Sequence, residues 1–346
     1  MLAAYKRMLV DSWTRRGPLA YGLWPVALVY RLLLALRLRL YAWKILKTHR
    51  LGVPVIVVGN VVAGGSGKTP VVIELVRHLR AAGLTPGVVS RGYGRLGTQC
   101  QEVLDHSPVA TVGDEPLLIR RRSGAPVFVA ARRIDAARAL LARFPQTNVV
   151  LCDDGLQHLA LQRDLEVCVF DDRAVGNGLL LPAGPLREPW PRKCDLALAP
   201  GPIRGFAPFT VRRSFADHCS QADGKVVALR DLAAMDPQPG PPVWALAGIA
   251  RPEQFFDMLR AHGIPLAGTI RLNDHAPVRA HDLSPAANCQ LLCTEKDAAK
   301  VWPFRPDAIA VALRLEIEPA FWACLDRLLV ERCGAKLSLP NGHAIA

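Results

Sequence analysis

The sequence predicts an α/β protein in which a parallel sheet is covered by helices, with a smaller α/β second domain behind it and a helical arm ahead of it. Three observations carry that prediction. Val53 to Gly83 reads as a buried strand, a glycine-rich turn and an amphipathic helix in succession. Short apolar runs then alternate with helical segments, which is the order of a parallel sheet with helices on both faces. After an aperiodic stretch from Pro200 to Pro242, rich in Pro and Gly, the alternation starts again.

The arm comes first. Residues 1–50 hold ten Lys and Arg and one acid, hence +9 of the chain's formal +13, which leaves +4 for the other 296 residues. Pro18 to Tyr30 is uncharged and largely apolar, Arg31 interrupts, and Leu32 to Leu36 resumes. Those 13 uncharged residues are too few to cross a bilayer core, which takes about 20. Extending the run through Leu36 puts Arg31 inside, at roughly 2.5 to 3.5 kcal/mol if it is central. A membrane-associated helix lying in the interface, with Arg and Lys toward anionic headgroups, costs less. A spanning anchor and an ordinary buried helix are the alternatives. Lys6, Arg7, Arg15 and Arg16 precede the run as they would in a signal peptide, but no small-residue cleavage site follows. The arm carries no nucleic-acid-binding module, so no nucleic-acid partner is expected. At 346 residues, 51% hydrophobic and 21% charged, the chain is globular and long enough for two domains. Its nine cysteines are scattered without a C-x-x-C pair, the usage of a reducing compartment.

The strand Val53–Val58, the turn Gly59–Gly67 and the helix Lys68–Ala82 make a phosphate cradle of the P-loop NTPase kind. Val71, Val72, Leu75, Val76 and Leu79 mark the helix's apolar face. Backbone N–H groups of Gly64, Gly65, Ser66, Gly67 and Lys68 can turn inward, because glycine removes the Cβ clash and the helix N-terminus favours negative charge. Lys68 reaches β/γ-phosphates, Thr69 a Mg²⁺, and Pro70 fits a first helical turn. The strict pattern wants glycine at position 62, where this chain has Val62. Gly64 and Gly65 are expected to supply the flexibility instead.

Strands follow at Pro86–Ser90, Pro126–Ala130, Asn148–Cys152, Leu165–Phe170 and Asp195–Ala199, with a helix at Ile134–Arg143. Polar residues stand at the C-terminal ends of the first four: Arg91, Arg132-Arg133, Asp153-Asp154 and Asp171-Asp172. Ligands bind at that edge of a parallel sheet. Asp153 and Asp154 suit a Mg²⁺ held directly or through water, with Gln157 and His158 close by. In Gly113-Asp114-Glu115-Pro116 the two acids either cap a helix or serve as metal ligand and base. Arg91 and Arg133 either neutralise phosphate or form surface ion pairs. The expected division is an arm over 1–50, a P-loop unit over 51–210, a junction over 211–242 and a second unit over 243–335. That second unit has strands at Val243–Ala247, Leu266–Leu272, Gln290–Thr294 and Ala308–Leu315, and helices at Arg251–His262 and from Pro319 to about Gly334. The last dozen residues read as frayed.

Seven motifs occur in one order: GGSGKTP at 64–70, SRGYGR at 90–95, GDEP at 113–116, DDGLQH at 153–158, LLPAGPLRE at 180–188, Asp274-His275, and TEKD at 294–297. Together they resemble the tetraacyldisaccharide 4′-kinase family, over most of the chain. The resemblance implies ATP and Mg²⁺ as cosubstrate and metal, and a lipid A disaccharide precursor as acceptor. It places the enzyme at the cytoplasmic face of a Gram-negative inner membrane, against an anionic membrane surface, with no obligate protein partner evident. By the same resemblance Lys68 and Thr69 bind ATP phosphates and Mg²⁺, while Asp153 or Asp154 and Glu115 support the metal. Asp114 with His275 forms the acid/base pair, Arg91 and Arg133 face phosphate, and Glu188 is a further site residue. The family usually has aromatic residues around the Asp-His pair, which Leu272-Asn-Asp274-His275-Ala-Pro277 lacks.

Two other readings stand beside this one. A membrane-recruited switch ATPase or GTPase would leave the second unit's Asp274-His275 unexplained, and a soluble ATP-dependent ligase would leave residues 17–47 without a role. The sequence further suggests an open nucleotide-free form in which Asp114 and His275, on different units, stand too far apart to touch.

Overall fold

The computed structural model describes residues 8–65, 67–203, 208–233 and 241–337. Ser66, Lys6, Arg7, parts of the Pro200–Pro242 stretch and most of the last dozen residues lie outside the described residues.

The arm folds as α1 (Pro18–Ala42), with Pro18 in its first turn where a missing N–H costs nothing. Only Ala20 and Ala27 are buried in it. Leu23, Tyr30, Leu34 and Tyr41 are half-buried, and with the two alanines they recur at intervals of three, four or seven residues as a single seam against the body. Tyr21, Trp24, Val26, Val29, Leu32, Leu33 and Leu36 are exposed. An ordinary buried helix is thereby ruled out.

β1 (Val55–Gly59) is buried at every residue because it runs mid-sheet, parallel to β5 (Val149–Asp153) on one side and β6 (Leu165–Val169) on the other. Its side chains alternate between two cores. Ile56 and Val58 join Val72, Leu75 and Leu79 of α2 (Lys68–Ala81). Val55 and Val57 join Ile134, Ala137 and Leu140, which come from a helix, Arg133–Arg143, on the opposite face. The sheet continues from β5 through β2 (Pro86–Ser90) and β4 (Val127–Val129), both parallel, to a short antiparallel edge, β3 (Gln101–Val103). On the other side of β6 lies β7 (Leu196–Ala199).

The stretch that reads as aperiodic holds the seam between the two halves. β8 (Phe209–Ser220) starts parallel to β7 at Phe209 and Thr210, then runs antiparallel to β13 (Ile309–Ile317) from Val211 to Ser220. It buries only Val211, Phe215 and Cys219, every fourth residue, and polar Arg213 and Asp217 at the positions between break the two-residue alternation that marks a strand in sequence. Val211 enters the core beneath α2, while Phe215 and Cys219 enter the second unit's core. One sheet therefore joins the halves, with the short β9 (Val226–Ala228) antiparallel to the end of β8. Beyond β13 come β12 (Gln290–Thr294), β10 (Val243–Ala247) and β11 (Gly268–Arg271), all parallel. The helix Pro252–Ala261 covers one face of this half with Phe255, Phe256 and Leu259.

Candidate active site

The glycine-rich loop leaves the C-terminal end of β1 and enters α2. Gly64 and Gly67 carry positive φ, 97° and 77°, which only glycine adopts without strain. Gly65 is needed for space instead, since a Cβ there would lie 3.1 Å from the Cβ of Ala250. Val62 is tolerated because that position is extended: it is buried and bridges antiparallel to Leu186. Lys68 is not the solvent-facing loop residue its position suggests. It opens α2, is 8% exposed, and its Nζ lies 3.6 Å from Asp154 Oδ1.

Asp153 ends β5 with 1% of its surface exposed. Its Oδ2 accepts from the Ser90 hydroxyl at 3.2 Å, while Oδ1 has no hydrogen-bond partner among the described residues. Burial, then the charges of Glu115 and Asp154, raise its pKa, which a bound cation would reverse. Among the described residues no three His, Cys, Asp or Glu side chains converge as a metal cage. A Mg²⁺ needs none, because one or two carboxylates plus substrate phosphates are its usual ligands. The buried, partnerless Asp153 Oδ1, close enough to Glu115 to feel its charge, fits such an ion.

Asp154 sits at φ 48° and is gripped by Arg187, whose Nη1 is 3.2 Å from Oδ1. Burial works against its charge, but Lys68, Arg187 and Arg133 outweigh it and hold the carboxyl ionised. Arg133 donates to the Asp154 carbonyl at 2.9 Å and has a buried, partnerless Nε. Gln157 donates to the Asn60 carbonyl at 2.9 Å and to Glu188 at 2.7 Å, which ties the DDGLQH loop to the glycine loop and to LLPAGPLRE. His158 is pushed down to about 4 by burial and by four surrounding arginines, so it is neutral at physiological pH. Arg91 is exposed and makes no hydrogen bond or ion pair among the described residues.

Asp114 opens the helix Asp114–Ser123 and is 4% exposed. Its Oδ1 meets His275 Nδ1 at 2.9 Å and its Oδ2 lies 3.3 Å from Lys300 Nζ. The two halves are thus in contact here, contrary to the expected open form. Ion pairs across the junction account for that: Arg122 Nη1 contacts both oxygens of Glu295 at 2.7 and 2.8 Å, and Lys296 Nζ lies 3.0 Å from Glu115 Oε1. Burial works against the Asp114 charge, but the His275 hydrogen bond with Lys296 and Lys300 holds the carboxyl well below the usual range. Burial also works against an imidazolium at His275, yet the bond to Asp114, with Asp274 behind it, raises the pKa overall despite Lys296. His275 Nε2 faces Lys296 Nζ at 3.4 Å and Asp274 Oδ1 at 3.5 Å. The Tyr93 ring packs edge-on to the imidazole at 5.0 Å between centroids, an aromatic contact from the first unit where the local sequence offers none.

TEKD folds as a cap. Thr294 accepts from the Asp297 N–H, and the fully buried Asp297 takes the Gly248 N–H at 2.8 Å and the Thr294 hydroxyl at 2.7 Å. Asp297→Ala would leave those donors unpaired and take from Lys300 its 2.9 Å partner, with only Asp114 remaining to it at 3.3 Å. It should cost about 3 kcal/mol or more of stability, read from urea unfolding at constant m-value.

A cleft with about 1270 Å³ of empty space, counted out to its mouth, joins these groups. Gly67, Lys68 and Thr69 line it beside Phe215, Phe255 and Met258, and Glu115, Asp274 and Lys296 line it as well. Arg213 of β8 lines it too, and a Cβ at Gly67 would collide with its guanidinium. Sequence reasoning missed Arg187, Arg213, Lys296 and Lys300. Arg187 and Lys296 lay within quoted motifs, but Arg213 and Lys300 gave no signal.

The family model described as tetraacyldisaccharide-1-P 4′-kinase matches residues 19–330. A tetraacyldisaccharide 4′-kinase of Acidovorax sp. (strain JS42) is 56% identical over 337 residues, covering 97% of this chain and 96% of that one. Another, of Janthinobacterium sp. (strain Marseille), is 40% identical over 346 residues, covering 99% and 98%. Among solved structures, LpxK from Aquifex aeolicus in complex with ATP matches with a TM-score of 0.75 and 27% identity, covering 90% of this chain and 99% of that one. The chain therefore belongs to the tetraacyldisaccharide 4′-kinase family and is a kinase of lipid A biosynthesis.

Proposed function

We propose that this enzyme transfers the γ-phosphoryl group of ATP, held on the loop 59–69, to the 4′-hydroxyl of a tetraacyl glucosamine disaccharide 1-phosphate, giving lipid IVA. The observation that carries the reading is the Asp114–His275 pair, 2.9 Å apart and drawn from the two halves of the chain beside the cleft that begins at Lys68. The division into a P-loop unit over 51–210 and a second unit over 243–335, joined through 211–242, belongs to the same proposal.

In this mechanism Lys68 and the backbone of Gly64, Gly65, Ser66 and Gly67 neutralise and orient the phosphates. Thr69, Asp153 and Glu115 would hold Mg²⁺, with the ionised Asp154 adding negative charge nearby. The ion would supply positive charge that neutralises the phosphoryl oxygens during transfer. Arg91 and Arg133 add positive charge at the phosphates. Phosphoryl transfer needs little covalent help, so positioning carries most of the rate. His275, with Nδ1 held by ionised Asp114, takes the 4′-hydroxyl proton at Nε2, the position where Lys296 lies in the structure. Gln157, Glu188 and Asp274 fix the surrounding loops.

The reading includes the cytoplasmic face of the inner membrane. α1 makes contact with the body from Ala20 to Tyr41 along one seam, which suits a helix lying in the interface and not one threading the bilayer. Deleting residues 1–40 should release the protein from anionic vesicles; unchanged co-sedimentation would put the lipid contact elsewhere. The reaction itself is tested by ADP formation, which should require the acceptor lipid and Mg²⁺ together. Equal ADP formation without lipid would favour a switch ATPase.

A further inference from the structure

The arm packs on the body along one seam, and its polar contacts fall on two segments. Trp13 donates from Nε1 to the Pro182 carbonyl at 3.0 Å, and Arg16 from Nε to the Asn177 carbonyl at 3.0 Å. Further along, the Tyr30 hydroxyl donates to the Arg187 carbonyl at 2.7 Å and Arg37 to the Gln157 carbonyl at 3.2 Å. The segments so gripped are LLPAGPLRE with the turn before it, and the loop that follows Asp153-Asp154.

Both segments brace the glycine loop. Pro185 to Arg187 lies along residues 61–63 as an extended strip, with the Arg187 N–H donating to the Val61 carbonyl at 2.7 Å and the Ala63 N–H to the Pro185 carbonyl at 2.8 Å. The Arg187 side chain then holds Asp154, and Asp154 faces Lys68 at 3.6 Å. On the second path, Gln157 donates to the Asn60 carbonyl, where the glycine loop starts. From Tyr30 or from Arg37, the loop is one residue away.

We propose that α1 is part of the framework of the phosphate site: Tyr30 and Arg37 are positioning residues that hold residues 185–187 and 157 in register with the glycine loop. Seating of the helix then sets nucleotide affinity and transfer rate, in addition to bringing the enzyme to its lipid. α1 suits such a role, because a helix with two buried residues has a shallow seat that a membrane can stabilise or shift. The inference rests on the reading of loop 59–69 as the ATP site.

The test uses full-length Tyr30→Phe, which removes one oxygen and keeps the ring packing, with Arg37→Gln as a second variant. Affinity for a fluorescent ATP analogue is measured in detergent without lipid, kcat at saturating lipid, and binding to phosphatidylglycerol-containing vesicles by sedimentation. One lost hydrogen bond should weaken nucleotide binding roughly 3- to 10-fold and lower kcat, with vesicle binding unchanged. If both variants kept wild-type nucleotide affinity, or changed only the KM for lipid, the inference would be overturned while a Lys68-dependent affinity kept the ATP site intact. Wild-type protein with no nucleotide affinity, or with affinity that Lys68→Ala leaves whole, would overturn both.

Discussion

Lys68→Ala should lose nearly all turnover, roughly 10²- to 10³-fold or more in kcat, the scale for removing one preorganised charge from a transition state that spreads negative charge over phosphoryl oxygens. The fold should survive. Removing one partner of a buried ion pair ordinarily costs several kcal/mol, but Asp154 keeps Arg187 at 3.2 Å and is itself a third exposed, so no isolated charge is left behind. Thermal unfolding should therefore move little while labelled phosphate stops reaching the lipid. Turnover equal to wild type would remove the phosphate-site reading of the loop.

His275→Ala should lower kcat by roughly 10²- to 10⁴-fold and leave ATP affinity nearly intact, because the ring takes a proton from the acceptor and does not hold the nucleotide. The wild-type pH profile has a definite sign. His275 accepts a proton only when neutral, and its pKa is raised by the bond to Asp114, so the competent form fills as pH rises through a value above the usual ~6.5. Asp114, held low, stays ionised throughout. In wild type kcat climbs with pH over that range, and in His275→Ala the climb disappears. A variant with wild-type kcat and an unchanged profile would make His275 a structural link between the two halves.

How much of this was legible in the sequence follows from which forces act locally. β2, β10 and β12 stand where the sequence puts them, since a buried strand between turn residues is a local pattern. The places of Lys68 and Thr69 at the start of α2 and of Asp153 at the end of β5 were legible because a glycine loop and an acid closing an apolar strand are local patterns. The pairing of Asp114 with His275 came from the family resemblance, as nothing in their spacing brings residues 161 positions apart together. Lys296, beside Glu115 from 181 positions away, had no local signal for its role. β8 was missed because its core contacts fall every fourth residue along a strand that serves two cores. That the two halves stand closed was not legible, because closure is set by ion pairs such as Arg122 with Glu295, which only the assembled halves create.

The central claim is that the phosphoryl group leaves ATP and arrives on the 4′-oxygen of the lipid at the meeting point of the two halves. The most direct measurement is ³¹P NMR of lipid recovered after incubation with the enzyme, ATP and Mg²⁺. The account predicts a second monoester phosphorus, scalar-coupled to the proton on carbon 4 of the distal glucosamine, present with wild type and absent with Lys68→Ala. A lipid that still carried only its 1-phosphate, with the consumed ATP accounted for as inorganic phosphate, would contradict it.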